Sequence, residues 1–211
     1  MVVGADEAGK GPALGPMVAG AVRADAADLP EGLADSKQLT ETRREELATE
    51  LRDHPEISVA TAAIPPERID APDTDMNSLG VAAQAEAVAS VAEENGTVIA
   101  DAADTDEARF ARRLREAVVD AGTEVDVTAE HGADEAHAIV SAASVVAKVE
   151  RDRRMAEIDG QYDRDVGSGY PSDPTTRAFL GEYVDEHGEL PACARATWST
   201  CEDALAAAEQ S

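Results

Sequence analysis

The chain has 211 residues, enough for one domain with a sizeable core, and with 43% hydrophobic but only 3% aromatic residues that core must be built from small aliphatic side chains. Its 44 acidic residues outnumber 18 basic ones, and the net charge of −26 excludes nucleic-acid binding driven by bulk electrostatics at low salt. Such a surface suits very high salt, where the screening length falls to about 3 Å and self-repulsion fades. From the N-terminus, Val2 to Ala5 reads as a strand, followed by a loop bent at Gly9 and Gly11 and bounded by Pro12 and Pro16. Met17 to Val22 reads as its hairpin partner, and Asp25 to Gly32 as a surface loop. Thr40 to Arg52 has helical spacing, and Ile57 to Ile64 alternates as a third strand stopped by Pro65-Pro66, with a loop to Asp75. The spacing of Leu79, Ala83, Ala87 and Val91 predicts a helix over Met76 to Glu93. Thr97 to Asp101 is a fourth strand, Ala108 to Val119 a helix, Glu124 to Thr128 a fifth strand, and Ala136 to about Ile158 a long helix. Asp173-Pro174 is a strong helix start, and a last helix covers Thr200 to Glu209.

Three strands, then strands alternating with helices, predict an α/β fold with a mixed five-stranded sheet flanked by helices. The sequence shows no internal repeat and no interdomain linker. A single domain over residues 1–211 is expected, with about 173–211 as a small helical C-terminal portion. The N-terminus lacks signal-peptide features and no apolar run approaches the ~18 residues of a membrane span, so a cytoplasmic protein without membrane contact is expected. Cys193 and Cys201 have no histidine at metal spacing and read as buried or incidental thiols.

Chemistry is expected at strand ends. The first strand ends in Asp6-Glu7 and the fourth in Asp101, while Asp134 starts the long helix. Singly, each is ordinary in so acidic a chain: Asp101 as a solvated strand end, Asp134 as a helix cap. Together they would repel one another. Asp6 and Glu7 alternate in a strand, but the glycine loop that follows could turn Glu7 back to the same edge. Four carboxylates at one edge need cations, and all-oxygen sites suit Mn²⁺ or Mg²⁺. Two such ions ~3.5–4 Å apart are the usual device for in-line attack on a phosphodiester.

The segment Asp6-Glu7-Ala8-Gly9-Lys10-Gly11-Pro12, followed by Gly15-Pro16, resembles the N-terminal signature of ribonuclease HII, the type 2 ribonuclease H. Further resemblances follow in order: Asp35-Ser36-Lys37-Gln38-Leu39, Asn77-Ser78-Leu79-Gly80, Val98-Ile99-Ala100-Asp101, and Asp134 with the segment Ser141 to Arg153. Gly167-Ser168-Gly169-Tyr170-Pro171-Ser172-Asp173 is similar to the family's junction-reading tyrosine loop, and Arg195-Ala196-Thr197-Trp198 to a C-terminal motif of its archaeal branch. The composition adds that the chain looks like a haloarchaeal member.

The resemblance implies a ribonuclease H-like fold with a small helical C-terminal portion; a monomer is expected. It implies Asp6, Glu7, Asp101 and Asp134 as catalytic metal ligands for two Mn²⁺ or Mg²⁺ ions. The substrates it implies are RNA/DNA hybrids and duplex DNA containing ribonucleotides, cut 5′ to a ribonucleotide to leave 3′-hydroxyl and 5′-phosphate ends. Gly9, Lys10 and Gly11 would meet the ribose 2′-hydroxyl, mainly through backbone that only glycine lets approach so closely. Many members have Arg at the position of Lys10, and lysine lacks the bidentate fork. Tyr170 would stack on the sugar at the RNA–DNA junction; a half-buried core tyrosine is the plainer alternative. Lys37, Asn77 and Arg195 complete the substrate-binding set that the resemblance implies.

Ser141, Ser144 and Lys148 are spaced three and four apart and share a helical face that could grip phosphates, or could simply be solvated. Arg151, Arg153 and Arg154 form the densest basic cluster, where backbone contact is expected in so acidic a protein. The three lysines, Lys10, Lys37 and Lys148, each fall in one of these segments. His131 and His137 lie near Asp134 in sequence, which raises a general-acid role beside plain solvation. Residues Ala206 to Ser211 lack the glutamine and paired aromatics of a sliding-clamp box, so no such contact is expected there. The competing readings are a junction-cutting DNA nuclease of the same fold, a non-catalytic hybrid-binding module, and an acidic domain whose carboxylates serve only solubility.

Overall fold

The computed structural model describes residues 1–33 and 39–209. In chain order the elements are β1 (Val2–Ala8), β2 (Met17–Ala24), α1 (Glu41–Asp53), β3 (Ser58–Ile64), α2 (Pro66–Ile69), α3 (Met76–Ala89), β4 (Gly96–Asp101), α4 (Glu107–Asp120), β5 (Val125–Glu130), α5 (Ala133–Ala136), α6 (Ala138–Asp159), α7 (Pro174–His187) and α8 (Ser199–Ala208). The five strands form one sheet in the order β3-β2-β1-β4-β5. β1 runs antiparallel to β2 and parallel to β4, which is parallel to β5, so the sheet is mixed, as expected.

The described residues group into two compact units: Met1–Ala8, Val18–Ala63 and Met76–Glu150 in the first, and Gly9–Met17, Ile64–Asp75 and Arg151–Ser211 in the second.

In the first unit the sheet is covered on both faces. On one, α1 and α6 bury Leu47, Leu51, Val140, Ala143 and Val146 with Val22 and Ala24 of β2. α6 rides close to the backbone of β1 and β2 because glycines face it. A Cβ on Gly4 would collide with the Ile139 carbonyl, and one on Gly20 would come within 2.5 Å of the Ala143 carbonyl oxygen. Small residues thus bring this helix close to the strand that carries Asp6. α3 covers β1 on the other face and packs on α4, which buries Phe110, Leu114 and Val118, at helical spacing, against β5.

In the second unit, α7 and α8 close a small core of Leu14, Met155, Val166, Phe179, Leu180, Cys193 and Cys201. Tyr162 meets Phe179 edge-on, with ring centroids 5.0 Å apart. Both cysteines are buried and free, as expected. α7 begins as expected, with Asp173 accepting from the Thr175 amide at 2.9 Å and Pro174 at the first helical position.

Three local differences from the expectations bear on the site. β1 continues through Asp6 and Glu7 to Ala8, paired with Gly20, Ala19 and Val18. The expected long helix is broken at His137, which is extended, so Asp134 sits in the separate one-turn helix α5. The segment from Pro65 to Asp75, expected as loop, opens with the helical turn α2.

Candidate active site

Strand register builds the centre of the first unit. β1 and β4 run parallel with Ala5 opposite Ala100, so the next residues, Asp6 and Asp101, leave neighbouring strands side by side. Because both acids of β1 lie within the strand, they alternate. Asp6 shares the face of Gly4, towards α6, with the Ser144 hydroxyl beside it; Glu7 faces α3, where Gln84 Nε2 donates to its carboxylate at 2.6 Å. No turn-back of Glu7 by the glycine loop is seen.

Asp6 is only 6% exposed. Burial, above all, drives its pKa well above the ordinary value of 3.8, and the negative charges of Glu7 and Asp101 add to the rise. Ser144 and the Glu7 amide, which donates to Asp6 Oδ1 at 2.7 Å, temper it. Asp101 Oδ1 accepts from the Ala133 amide at 2.8 Å, which ties the start of α5, and with it buried Asp134, to the end of β4. Gln84 also donates to the Asp101 carbonyl at 3.0 Å, so one fully buried amide links β1 and β4; its own carbonyl oxygen, Oε1, is buried with no hydrogen-bond partner among the described residues.

The donor chemistry fits a divalent cation: four carboxylates from three short segments, β1, β4 and α5, with Asp6 and Asp134 buried. Among the described residues, no three acidic, histidine or cysteine side chains are gathered closely enough to hold an ion as they stand. Asp6, Glu7 and Asp101 each accept from a local donor: the Glu7 amide, Gln84 and the Ala133 amide.

The second unit carries the glycine loop. Gly9 has φ +81°, a conformation that favours glycine. Arg195, with no exposed surface, holds this loop from inside: Nε donates to the Gly15 carbonyl at 2.9 Å, Nη1 to Lys10 at 3.0 Å and Nη2 to Gly9 at 2.6 Å. The Ala13 amide donates to the Gly169 carbonyl at 2.8 Å, the Gly15 amide to Cys193 at 2.8 Å, and the Arg195 amide to Ala13 at 2.8 Å. Asp70, just past α2, fixes the Arg195 turn by accepting from the Ala196 and Thr197 amides at 2.7 and 3.1 Å and from the Thr197 hydroxyl at 2.6 Å. Lys10 is half-buried and Gly11 exposed, while Tyr170 is 40% exposed. Asp173 anchors the Tyr170 loop by accepting from the Ser168 amide and hydroxyl, both at 2.7 Å. Those bonds and the Thr175 amide hold its carboxyl down at about 2.

The remaining sequence-derived residues are spread differently. Asn77 is half-buried in the first turn of α3, and Lys148 is half-buried on α6. Ser141 and Ser144 are buried, and the Ser141 hydroxyl donates to the Leu33 carbonyl, so their shared face looks inward. Arg151, expected on an outward basic stripe, is also buried, whereas Arg153 is exposed and pairs with Glu157. The two histidines have partners of their own: His131 Nε2 lies 2.7 Å from the Asp104 carbonyl oxygen, and His137 Nε2 3.0 Å from Glu130 Oε2. Lys37 and the rest of its motif up to Gln38 lie outside the described residues.

Sequence reasoning missed Gln84, Asp70 and the inward role of Arg151. Gln84 had a signal, since it adjoins Ala83 on the apolar stripe of α3, where a polar residue demands a partner. Arg151 continues the spacing Ser144, Lys148, Arg151, Met155, which follows the buried side of α6. Asp70 had none in a segment read as loop.

Comparison with known proteins matches residues 3–201 to the family model described as Ribonuclease HII. The chain is 59% identical over 211 residues to the ribonuclease HII of Haloarcula marismortui, covering 100% of this chain and 98% of that one. It is 53% identical over 208 residues to that of Halobacterium salinarum, covering 99% and 96%. Among solved structures it superposes on the ribonuclease H2 of Pyrococcus horikoshii with a TM-score of 0.89 at 36% identity, covering 100% and 99% of the two chains. A structure of the PCNA:RNase HII complex from Archaeoglobus fulgidus matches with a TM-score of 0.85, also at 36% identity, covering 97% and 96%. The five-stranded mixed sheet is thus that of a ribonuclease H-like fold, and the acidic composition is in keeping with the halophilic relatives. Matched along nearly its whole length by the family model and by both relatives, the chain belongs to the ribonuclease HII family and is a ribonuclease H hydrolase.

Proposed function

We propose that this protein is an endonuclease that cuts the RNA strand of RNA/DNA hybrids and cuts on the 5′ side of ribonucleotides embedded in duplex DNA, leaving 3′-hydroxyl and 5′-phosphate ends. The observation that supports the hydrolytic part is the parallel register of β1 and β4, which sets buried Asp6 beside Asp101 on neighbouring strands, with Glu7 and the α5 turn of Asp134 tied to the same two strands. Asp6, Glu7, Asp101 and Asp134 would hold two Mn²⁺ or Mg²⁺ ions. When bound, such ions polarise the phosphoryl oxygen and lower the pKa of water, which is the chemistry a phosphodiester needs.

The chain's own residues supply the rest. Gln84 orients Glu7 and the end of β4 through its amide. Burial of Asp6 excludes water and strengthens its attraction to a cation. Gly9, Lys10 and Gly11 present backbone to a 2′-hydroxyl, the group that separates RNA from DNA. Arg195 acts through that loop as a positioning residue, since it binds three loop carbonyls and has no exposed surface. Exposed Tyr170 offers a stacking surface for the sugar at an RNA–DNA junction. Asn77, Lys148 and Lys37 are proposed to meet the nucleic-acid backbone, and Ser141 and Ser144 to support that contact from inside α6. Cleavage is taken to need neither a second copy nor a clamp, in the cytoplasm; among the described residues no helix is long and apolar enough to cross a membrane. The test is cleavage of duplex DNA holding one ribonucleotide, beside an RNA/DNA hybrid and an all-DNA duplex. Incision of the first two alone supports the reading, and incision of all three points to a DNA nuclease.

A further inference from the structure

Arg151 is a buried cation with little to compensate it. It is only 5% exposed, and the carboxylate that acts on it is that of its chain neighbour Asp152. Its Nη2 donates to the Ser168 carbonyl at 3.0 Å, but Nε is buried with no hydrogen-bond partner among the described residues. Burial lowers its pKa, with the Tyr170 hydroxyl and Asp152 opposing the shift. A charge so placed is costly, and an apolar side chain of similar volume would serve packing better. What the guanidinium does touch is specific. Its centre lies over the Tyr170 ring, 5.2 Å from the centroid. A Cβ at Gly9 would come within 2.5 Å of Nε and 2.6 Å of Cδ, so the arginine occupies the space that a side chain at position 9 would fill. Nη2 would also lie 3.2 Å from a Cβ at Gly169, the residue before the tyrosine.

We propose that Arg151 is a positioning residue that fixes Tyr170 against the Gly9 turn and thereby sets the preference for embedded ribonucleotides over long hybrids. This rests on the reading of Gly9 and Tyr170 given above. With one face of the ring taken by the guanidinium, the 40% of Tyr170 that is exposed is what remains for substrate. The planar fork is essential to the role, because one group must stack on a ring and donate to Ser168 at once; an ammonium cannot do both.

The test compares kcat/KM on duplex DNA holding one ribonucleotide with kcat/KM on a long RNA/DNA hybrid, for wild type, Arg151→Met, Arg151→Lys, Tyr170→Ala and the Arg151→Met/Tyr170→Ala double variant. Circular dichroism in molar KCl checks the fold of each. Arg151→Met is expected to lower the embedded-to-hybrid ratio about fivefold, the worth of a cation–π contact that is still partly open to solvent. The double variant should then lose no more than Tyr170→Ala alone, because both changes remove one device. A wild-type ratio in Arg151→Met, equal loss on both substrates, or a double-variant loss equal to the product of the single ones overturns the proposal. Should Arg151→Met not fold, Arg151→Lys decides: an intermediate ratio is expected, and a wild-type ratio overturns the role. If the Tyr170 reading itself is at fault, the signature differs, since Tyr170→Ala then leaves the ratio unchanged whatever stands at position 151.

Discussion

Replacing Arg195 by leucine removes three charge-assisted hydrogen bonds, to the Gly15, Lys10 and Gly9 carbonyls, from a site with no solvent exposure. Hydrogen bonds to charged groups contribute about 1.5–3 kcal/mol each, so simple addition gives roughly 4.5–9 kcal/mol. Two effects reduce that figure. The guanidinium is costly to bury, as its pKa pushed down to about 10 reflects, and that cost disappears with it. Gly11, at the loop's surface, is exposed, so water can reach part of the vacated site. A net loss of about 3–5 kcal/mol remains, the usual range for breaking a buried charged network. For a chain of this size that corresponds to a fall in melting temperature of roughly 6–20 °C. The assay is thermal and guanidinium unfolding in molar KCl, with Arg195→Lys as the partner variant. Lysine has one ammonium for three carbonyls and is expected to recover less than half of the loss. A leucine variant within about 1 kcal/mol of wild type would refute the view that Arg195 holds the loop together.

Asp6→Asn is expected to cut cleavage at saturating Mn²⁺ by about a hundredfold or more while leaving the fold intact, since the cluster loses its buried anion; without metal the variant should melt no lower than wild type, because a repelling charge has gone. Gln84→Leu frees Glu7 and the end of β4 together, so a higher metal requirement is expected, read as a rise in the Mn²⁺ concentration giving half-maximal cleavage, of about tenfold; an unchanged requirement contradicts the orienting role. The folded pKa of Asp173, about 2, lies below its ordinary 3.8, so its contribution is full above about pH 4 and is lost as pH falls through 2. Asp173→Asn should therefore melt lower than wild type at pH 6, with the gap closing in acid; a gap that persists at pH 2 contradicts the assignment. Activity and helicity should both rise with KCl up to about 1 M, where the screening length is ~3 Å, before activity levels off or falls; a fully folded and active protein at low salt, with activity falling steadily above it, contradicts the high-salt reading.

Much of the fold was legible in period and punctuation. The five strands and the helices of three turns or more follow from alternation, from the stripes of α3 and α4, and from Asp173-Pro174 at the start of α7. What was not legible depended on tertiary partners. The break at His137 lies inside an otherwise helical pattern and goes with the imidazole's contact with Glu130 and the docking of Ala133 on Asp101. The end of β1 was set too early, because Asp6 and Glu7 read as the edge of a strand when their pairing with Gly20 and Ala19 carries it on to Ala8. Of the candidate site, the acids and the glycine loop stood out as motifs. The inward direction of Ser141, Ser144 and Arg151 did not, because helical spacing tells which residues share a face but not which way that face looks.

The proposed cleavage is put to its sharpest test by product mapping on a DNA duplex holding a single ribonucleotide, incubated with the purified protein in molar KCl with and without Mn²⁺. One incision is expected, immediately 5′ of the ribonucleotide, with 3′-hydroxyl and 5′-phosphate ends, lost on chelation and in Asp101→Asn, and no cut in the matching all-DNA duplex. Incision that survives chelation, falls 3′ of the ribonucleotide, or occurs equally in the all-DNA duplex would contradict it.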